Sequence, residues 1–483
     1  MKVLRLCFVW VSAIVLVLAT GLLLSSPQKS FALSWTQVAT NGLGDADNIT
    51  SLNLISFNDK LFASIGNYDA PQPTGVRIFS SSDGATWTQA NTNGFGTATN
   101  IEAVMTEYNS ALYAGTDTLG SGPAELWKTT NGTDWTQVGQ NGFGDAGNVR
   151  IIGMGEFNDS LYIGVSNAAG AEVWRLDSAG ALTKVSLNGF DGTATVNMIF
   201  SLQEHNGALY AGTGTSAAGA QVWKTTNGTS WTAVMQGGFS DTNNGVVSTL
   251  FGFNGDLYAG TVNTVTGAEI WRTTTSDTVW EQTNTNGFGD AQTTWPGLQT
   301  AIINDTIYLG TRNGNGAKLY TSTNGSTWTQ EGTTGFGDPT NNYAIYAITF
   351  NGRVYIGISS QIGAEIWRTS AMETLSITTD SLPSGTVNSE YSQTLATDSG
   401  TQPLIFSLTG SLPDGLSLDD STGKISGTPT DSGTTTFTIS ALDSGDPQQM
   451  TSKTFSITID GVAAATLPET GQDRYLGWAN HLI

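Results

Sequence analysis

One cysteine, two histidines and 18 basic residues in 483 positions close off several chemistries at once. A disulfide needs two thiols and Cys7 stands alone, so no covalent staple is available. Zinc centres want clustered His and Cys, and nucleophilic triads want a His beside the nucleophile. Here only His205 lies between residues 33 and 461, and His481 falls in the tail. No metal and no cofactor is expected. Lys and Arg are outnumbered by 40 Asp and Glu, giving a net charge of −22 with no basic cluster to offset it. Such a surface repels phosphate backbones and anionic headgroups, which excludes nucleic acid as a partner. Charged residues are scarce at 12%, yet aromatics reach 10% with 14 Trp, too many apolar anchors for a disordered chain.

The first 32 residues read as a targeting segment. Lys2 and Arg5 precede an uncharged run from Leu6 to Leu24, and a small-residue site follows at Ser30, Phe31 and Ala32. Cleavage is expected after Ala32; the alternative is an uncleaved anchor, since the run nearly suffices to span a bilayer. Either way the remainder is exported, to the extracellular space or the cell wall. Cys7 precedes the hydrophobic run instead of following it, which rules out a lipoprotein reading.

From Ser34 to about Ser370 the chain repeats itself. A Gly-Phe-Gly-Asp-like turn recurs at Gly42, Gly94, Gly142, Gly189, Gly238, Gly287 and Gly335, at intervals of 47 to 52 residues. A period of that length signals a propeller or solenoid. Each unit holds four short alternating segments, such as Asn148 to Phe157, Leu161 to Val165, Glu172 to Leu176 and Leu182 to Val185, which predict strands. Pairs such as Asn158-Asp159, Asn206-Gly207 and Asn254-Gly255 join the first two strands, and Asp83-Gly84, Asn131-Gly132, Asn227-Gly228 and Asn324-Gly325 join the last two. Second strands number seven, third strands seven, and fourth strands inside the units only six. The spare strand Ser34-Trp35-Thr36-Gln37-Val38 stands before the first unit, so it is expected to complete the seventh. The predicted fold class is all-β: a seven-bladed β-propeller of four-stranded blades over 33–370, then a β-sandwich over 371–461 and a tail over 462–483.

The hairpins Ser81-Ser82-Asp83-Gly84-Ala85-Thr86-Trp87 and Thr129-Thr130-Asn131-Gly132-Thr133-Asp134-Trp135, with copies ending at Trp231 and Trp328, resemble the Asp-box hairpins of bacterial neuraminidase-repeat propellers, in a form one residue shorter. The resemblance implies a fold and no sialidase activity. It also implies that the polar side chain holds the turn while the Trp packs between blades.

Past residue 371, the stretches Ser381-Leu382-Pro383-Ser384-Gly385, Ser411-Leu412-Pro413-Asp414-Gly415 and Ser421-Thr422-Gly423-Lys424-Ile425-Ser426-Gly427-Thr428-Pro429 resemble the bacterial putative-Ig family. That likeness implies an Ig-like stalk module without chemistry. Leu467-Pro468-Glu469-Thr470-Gly471 resembles the LPxTG sorting signal of sortase substrates, which implies cleavage between Thr470 and Gly471. Only Gln472 to Ile483 follow, with no apolar span. Two readings therefore stay open: a chain continuing past Ile483 into a membrane span, or a fortuitous pentapeptide.

Within the repeats, Arg175, Arg272 and Arg368 fill one slot after the blade aromatic, whereas Arg77, Arg150, Arg312 and Arg353 are scattered over four units with no evident partner set. No catalytic residue is assigned. Glu125, Glu172, Glu269 and Glu365 share a slot two residues before the Trp, expected to make blade-to-blade hydrogen bonds. Glu107, Glu156 and Glu204 form either a cation-binding lip or a set of solvated acids. The ligand site is placed where aromatics depart from the repeat: Trp295 and Tyr343 at the starts of two inner strands, and Tyr68 with Asp69 in a long loop. Aromatic faces pack on sugar rings while acids accept hydroxyl hydrogen bonds. The expected protein is an exported surface binding or adhesion protein that takes a glycan or a surface-protein ligand, with sortase as a further partner. A membrane enters only through the leader or a missing C-terminal span. The alternative is a glycan-active enzyme on the same scaffold.

Overall fold

The computed structural model describes residues 34–67, 73–215, 218–273, 276–303, 305–370, 375–400, 402–444 and 449–462. The leader, Tyr68, Asp69, Thr470, Gly471 and His481 lie outside these residues. The protein is all-β, in curled antiparallel sheets. Among the described residues no helix is long and apolar enough to cross a membrane.

The repeats fold alike. Their inner strands are Asn48–Phe57, Glu102–Tyr108, Arg150–Phe157, Val196–His205, Asn244–Phe253, the broken pair Thr293–Pro296 and Ala301–Ile303, and Asn341–Phe350. Each hairpins into a second strand through residues held at positive φ, such as Asn58 and Asp59 or Asn158 and Asp159, the backbone that a tight turn between twisted strands demands. The connection from third to fourth strand is longer than the two residues expected. It runs from Ser82 to Trp87 in repeat one, because the side chain builds the turn: Asp83 accepts from Ser81 Oγ and from the N–H groups of Ala85 and Thr86 at 2.7–2.9 Å. Those donors hold the Asp83 carboxyl far below the usual carboxylate range. Asn131, Asn227 and Asn324 accept the same two backbone bonds in their hairpins.

The turn before each inner strand puts Leu43, Phe95, Phe143, Phe190, Phe239, Phe288 and Phe336 in the left-handed region, at φ of 54–69°. For a bulky residue that costs about 1–2 kcal/mol. The cost is offset by aromatic contacts. Phe95 stacks on Trp127 at 5.0 Å and meets Trp135 edge-on at 5.3 Å. Phe190, Phe239 and Phe288 repeat the arrangement, and each such pair contributes about 0.5–1.5 kcal/mol beyond its buried area. In repeat seven Phe336 packs on Trp367, and the edge-on partner is Trp35 at 5.4 Å. The strand Trp35–Ala39 pairs antiparallel with Glu365–Thr369, so the N-terminal segment fills the fourth-strand position of repeat seven.

Contacts between repeats recur as well. The hairpin glycines Gly132, Gly228 and Gly325, at positive φ, lie against Phe62, Tyr162 and Tyr258 of the preceding repeat, where any Cβ would collide with the ring. Gly84 of repeat one lies in the same way against Tyr355 of repeat seven, and Arg368 donates to the Asp83 carbonyl at 3.0 Å. One core joins Leu54, Leu61 and Ile65 to Ile345, Phe350 and Ile366.

The third strand is tied to the loops on both sides. Glu125 accepts from Trp127 Nε1, Asn100 and Asn141 at 2.7–3.0 Å, and Glu269 accepts from Trp271, Asn244 and Asn286. Where the aromatic carries no N–H, the acid is replaced by a base that pairs with the turn aspartate: Arg77 with Asp45 beside Phe79, and Lys318 with Asp290 beside Tyr320, both at 2.7 Å. Lys318→Glu alone is expected to cost about 1–2 kcal/mol after allowance for solvent screening. Adding Tyr320→Trp should recover roughly half by supplying an indole donor. Thermal unfolding of the four-member cycle checks this, and strictly additive effects would show that base and aromatic are unrelated.

The described residues between 375 and 460 form a sandwich. Met450–Asp460, Gly433–Leu442 and Ile405–Thr409 lie in one sheet, edged by Gly385–Thr386, which runs parallel to its neighbour; Tyr391–Thr394, Lys424–Gly427 and Leu416–Asp419 form the other. Phe406, Ile425, Phe437, Ile439, Phe455 and Ile457 fill the space between, the apolar core a thiol-free domain requires.

Candidate binding site

The seven inner strands are in register with their second strands through one corresponding pair per repeat. In chain order these pairs are Thr50 with Gly66, Glu102 with Asp117, Arg150 with Ser166, Met198 with Gly214, Val246 with Val262, Trp295 with Arg312, and Tyr343 with Ser359. Flanking positions repeat closely, as in Asn48, Asn100, Asn148, Asn244 and Asn341, each of which donates to a turn carbonyl. The register slots do not repeat. Five of the seven inner-strand slot residues, Thr50, Glu102, Arg150, Trp295 and Tyr343, line one cavity of about 360 Å³ together with Asp117, Arg312, Ser359 and Phe200.

Two triplets face this space. In the first, Asp117 is the cross-strand partner of both Glu102 and Arg150. Its carboxylate accepts from Arg150 Nε at 2.6 Å and from the Leu119 N–H at 2.7 Å. Burial raises the Glu102 pKa well above the usual carboxyl range, the neighbouring Asp117 raises it further, and Arg150 opposes both. Asp117 is raised by burial and lowered by Arg150. One carboxyl must carry the proton for the two to hydrogen-bond, and burial assigns it to Glu102.

In the second triplet Arg312 is the cross-strand partner of Trp295 on one side and of Tyr343 on the other. The two rings lie 6.0 Å apart, with Phe200 edge-on to Trp295 at 6.1 Å. The Trp295 indole N–H and the Tyr343 hydroxyl are buried without a hydrogen-bond partner among the described residues, although both side chains are partly exposed. Burial lifts the Tyr343 phenol well above its ordinary pKa. Arg312 is exposed, and its guanidinium has no ion-pair or hydrogen-bond partner among the described residues. The local backbone explains the placement. Pro296 still pairs with Thr311 and the Gly297 N–H donates to the Gly310 carbonyl at 2.7 Å, after which the strand leaves its neighbour and Leu298 donates instead to the Ile345 carbonyl at 2.9 Å. A Cβ at Gly297 would strike the same carbonyl.

Of the sequence-predicted ligand residues, Trp295 and Tyr343 come together in the cavity, while Tyr68 and Asp69 lie outside the described residues. The reading of Arg150 and Arg312 as scattered needs correction, and so does that of Arg150 as partnerless. Both line the cavity and Arg150 is paired, because the register brings together residues far apart in sequence. Glu107, Glu156 and Glu204 are exposed, and no cluster of three metal-ligating side chains occurs among the described residues. His205 is half-buried and edge-on to Tyr210 at 6.4 Å.

Residues 373–460 match the family described as Putative Ig domain. No curated protein matches the chain. Similar solved structures include the extracellular domain of BT4673 from B. thetaiotaomicron (14% identity, TM-score 0.45) and that of BT3049 from the same organism (13%, 0.48). Each alignment covers 89% of this chain but only 59% and 58% of the other chain. Another is the polysaccharide lyase Uly1 (12%, TM-score 0.41), with 68% of this chain and 91% of that one covered.

Proposed function

We propose that this is an exported surface protein whose residues 33–370 form a closed seven-bladed propeller, carried on the Ig-like module at 371–461, and whose axial cavity binds the end of a glycan. The single observation that carries the binding reading is the convergence of Trp295, Tyr343 and Arg312 with the Glu102–Asp117–Arg150 triplet on one partly open cavity in an otherwise repetitive fold. Ring closure is supported by the Gly84–Tyr355 contact, which copies those between consecutive repeats, and by Trp35 in the fourth-strand position of repeat seven. The leader at 1–32 and wall attachment through Thr470 and Gly471 belong to the same reading.

A glycan and cell-wall-polymer array probed with the full chain tests it. Replacing both Trp295 and Tyr343 by Ala is expected to cut capture by at least about 30-fold, as for a central binding anchor. Trp135→Phe, remote from the cavity, should lower the unfolding temperature and leave capture intact. Capture that survives the double replacement would sink the proposal.

A second reading, a glycan-active enzyme, is favoured by the raised pKa of Glu102 beside Asp117. Against hydrolysis, these carboxyls touch, whereas glycosidase pairs stand roughly 5 to 9.5 Å apart. Release of new reducing or unsaturated ends from captured glycans, lost in Glu102→Gln, would establish the enzyme reading.

A further inference from the structure

The chemistry of the cavity restricts what can enter it. In the first triplet the charges are already satisfied, since Asp117 pairs with Arg150 and accepts from Glu102. Each member of the second triplet can donate: the Arg312 guanidinium, flanked in register by the buried indole N–H of Trp295 and hydroxyl of Tyr343, none with a hydrogen-bond partner among the described residues. A buried donor left unsatisfied is destabilising, so the site favours a ligand that brings acceptors. The uncompensated charge is positive in a chain of net charge −22, so its attraction for an anion is local to this site. A guanidinium presents two parallel N–H groups in one plane, which matches the two oxygens of a carboxylate. The aromatic faces of Trp295 and Tyr343 supply a surface for the body of a sugar ring.

We infer that the cavity selects a carboxylate-bearing sugar, a uronic acid or another acidic unit at a glycan end, with Arg312 paired to the carboxylate and Trp295 and Tyr343 flanking it. This rests on the glycan-binding reading and names its ligand class. Titration calorimetry on the full chain can use oligogalacturonate and oligoglucuronate, their carboxyl-reduced neutral forms, and a sulfated galactan oligosaccharide. The acidic forms are expected to bind at least about 10-fold more tightly than their reduced counterparts. Arg312→Gln should erase that difference and Arg312→Lys restore part of it, with unfolding temperatures unchanged because Arg312 is exposed. Equal affinity for acidic and reduced forms would overturn the acidic selectivity and leave the glycan reading standing. Preference for the sulfated ligand would overturn the carboxylate assignment, and selectivity that persists in Arg312→Gln would overturn the role of Arg312. Failure of every glycan to bind would overturn both readings.

Discussion

Deleting residues 33–40 is expected to abolish the native fold of the repeat region at 37 °C. The segment supplies the strand paired with Glu365–Thr369, the Trp35 ring set edge-on against Phe336, and Ala39 in the core shared by repeats one and seven. Loss of one such Trp alone typically costs about 3–5 kcal/mol, a large part of the stability of an ordinary domain. The deletion also uncovers the hydrogen-bonding edge of Glu365–Thr369, a template for aggregation. Circular dichroism during heating, with light scattering, checks the outcome. The point variant Trp35→Ala should fall between deletion and wild type. An unchanged melting curve after deletion would remove the N-terminal strand from any closing role.

The second large effect is expected at Asp117. Its side chain is 3% exposed, and it is the shared acceptor for Arg150 and Glu102. Asp117→Ala leaves a partly buried guanidinium unpaired and the Glu102 proton without an acceptor, a loss of about 3–5 kcal/mol. Glu102→Gln keeps an N–H in place of the acid proton and should stay within about 1 kcal/mol of wild type. The pH dependence separates the two carboxyls from ordinary surface acids. Both have folded-state pKa values raised above their unfolded values, so the folded state holds protons that the unfolded chain releases. Their joint contribution therefore declines as pH rises from about 4 to 4.5 toward the raised values and then levels off. Glu102→Gln should flatten much of that decline and be relatively more stable at the upper end. Urea unfolding between pH 4.5 and 8 measures it, and parallel profiles for wild type and variant would refute the assignment.

Much of the repeat region was legible because its chemistry is local. Asn and Gly at the hairpins, the polar side chain that folds the third-to-fourth connection, and the Trp that packs against the turn residue sit within a few positions of their partners. Trp35 was legible for a related reason: a fourth-strand sequence without a third strand before it announces a distant partner. The site was only half legible. Trp295 and Tyr343 stood out as aromatics where other repeats have none, but Arg150 and Arg312 looked like unrelated charges, and nothing singled out Glu102 or Asp117. Their relation is one of register across strands of different repeats, which spacing along one chain does not display. The signal was nonetheless present. Counting two residues on from Asn48, Asn100, Asn148, Asn244 and Asn341 gives Thr, Glu, Arg, Val and Tyr, so a position that varies freely stands beside one that hardly varies.

That juxtaposition has a consequence for how such a protein changes over time. The Asn side chains, the left-handed aromatics and the hairpin glycines carry the architecture, and none of them is among the residues that line the cavity. The register slots can then be rewritten, singly or as paired sets such as Glu102, Asp117 and Arg150, without touching that architecture, much as the teeth of a key are recut without altering the bow. A lineage bearing this scaffold would be free to exchange ligands by a few substitutions at the five inner-strand slots that line the cavity. Its specificity would be a poor guide to its ancestry, and its turns a good one.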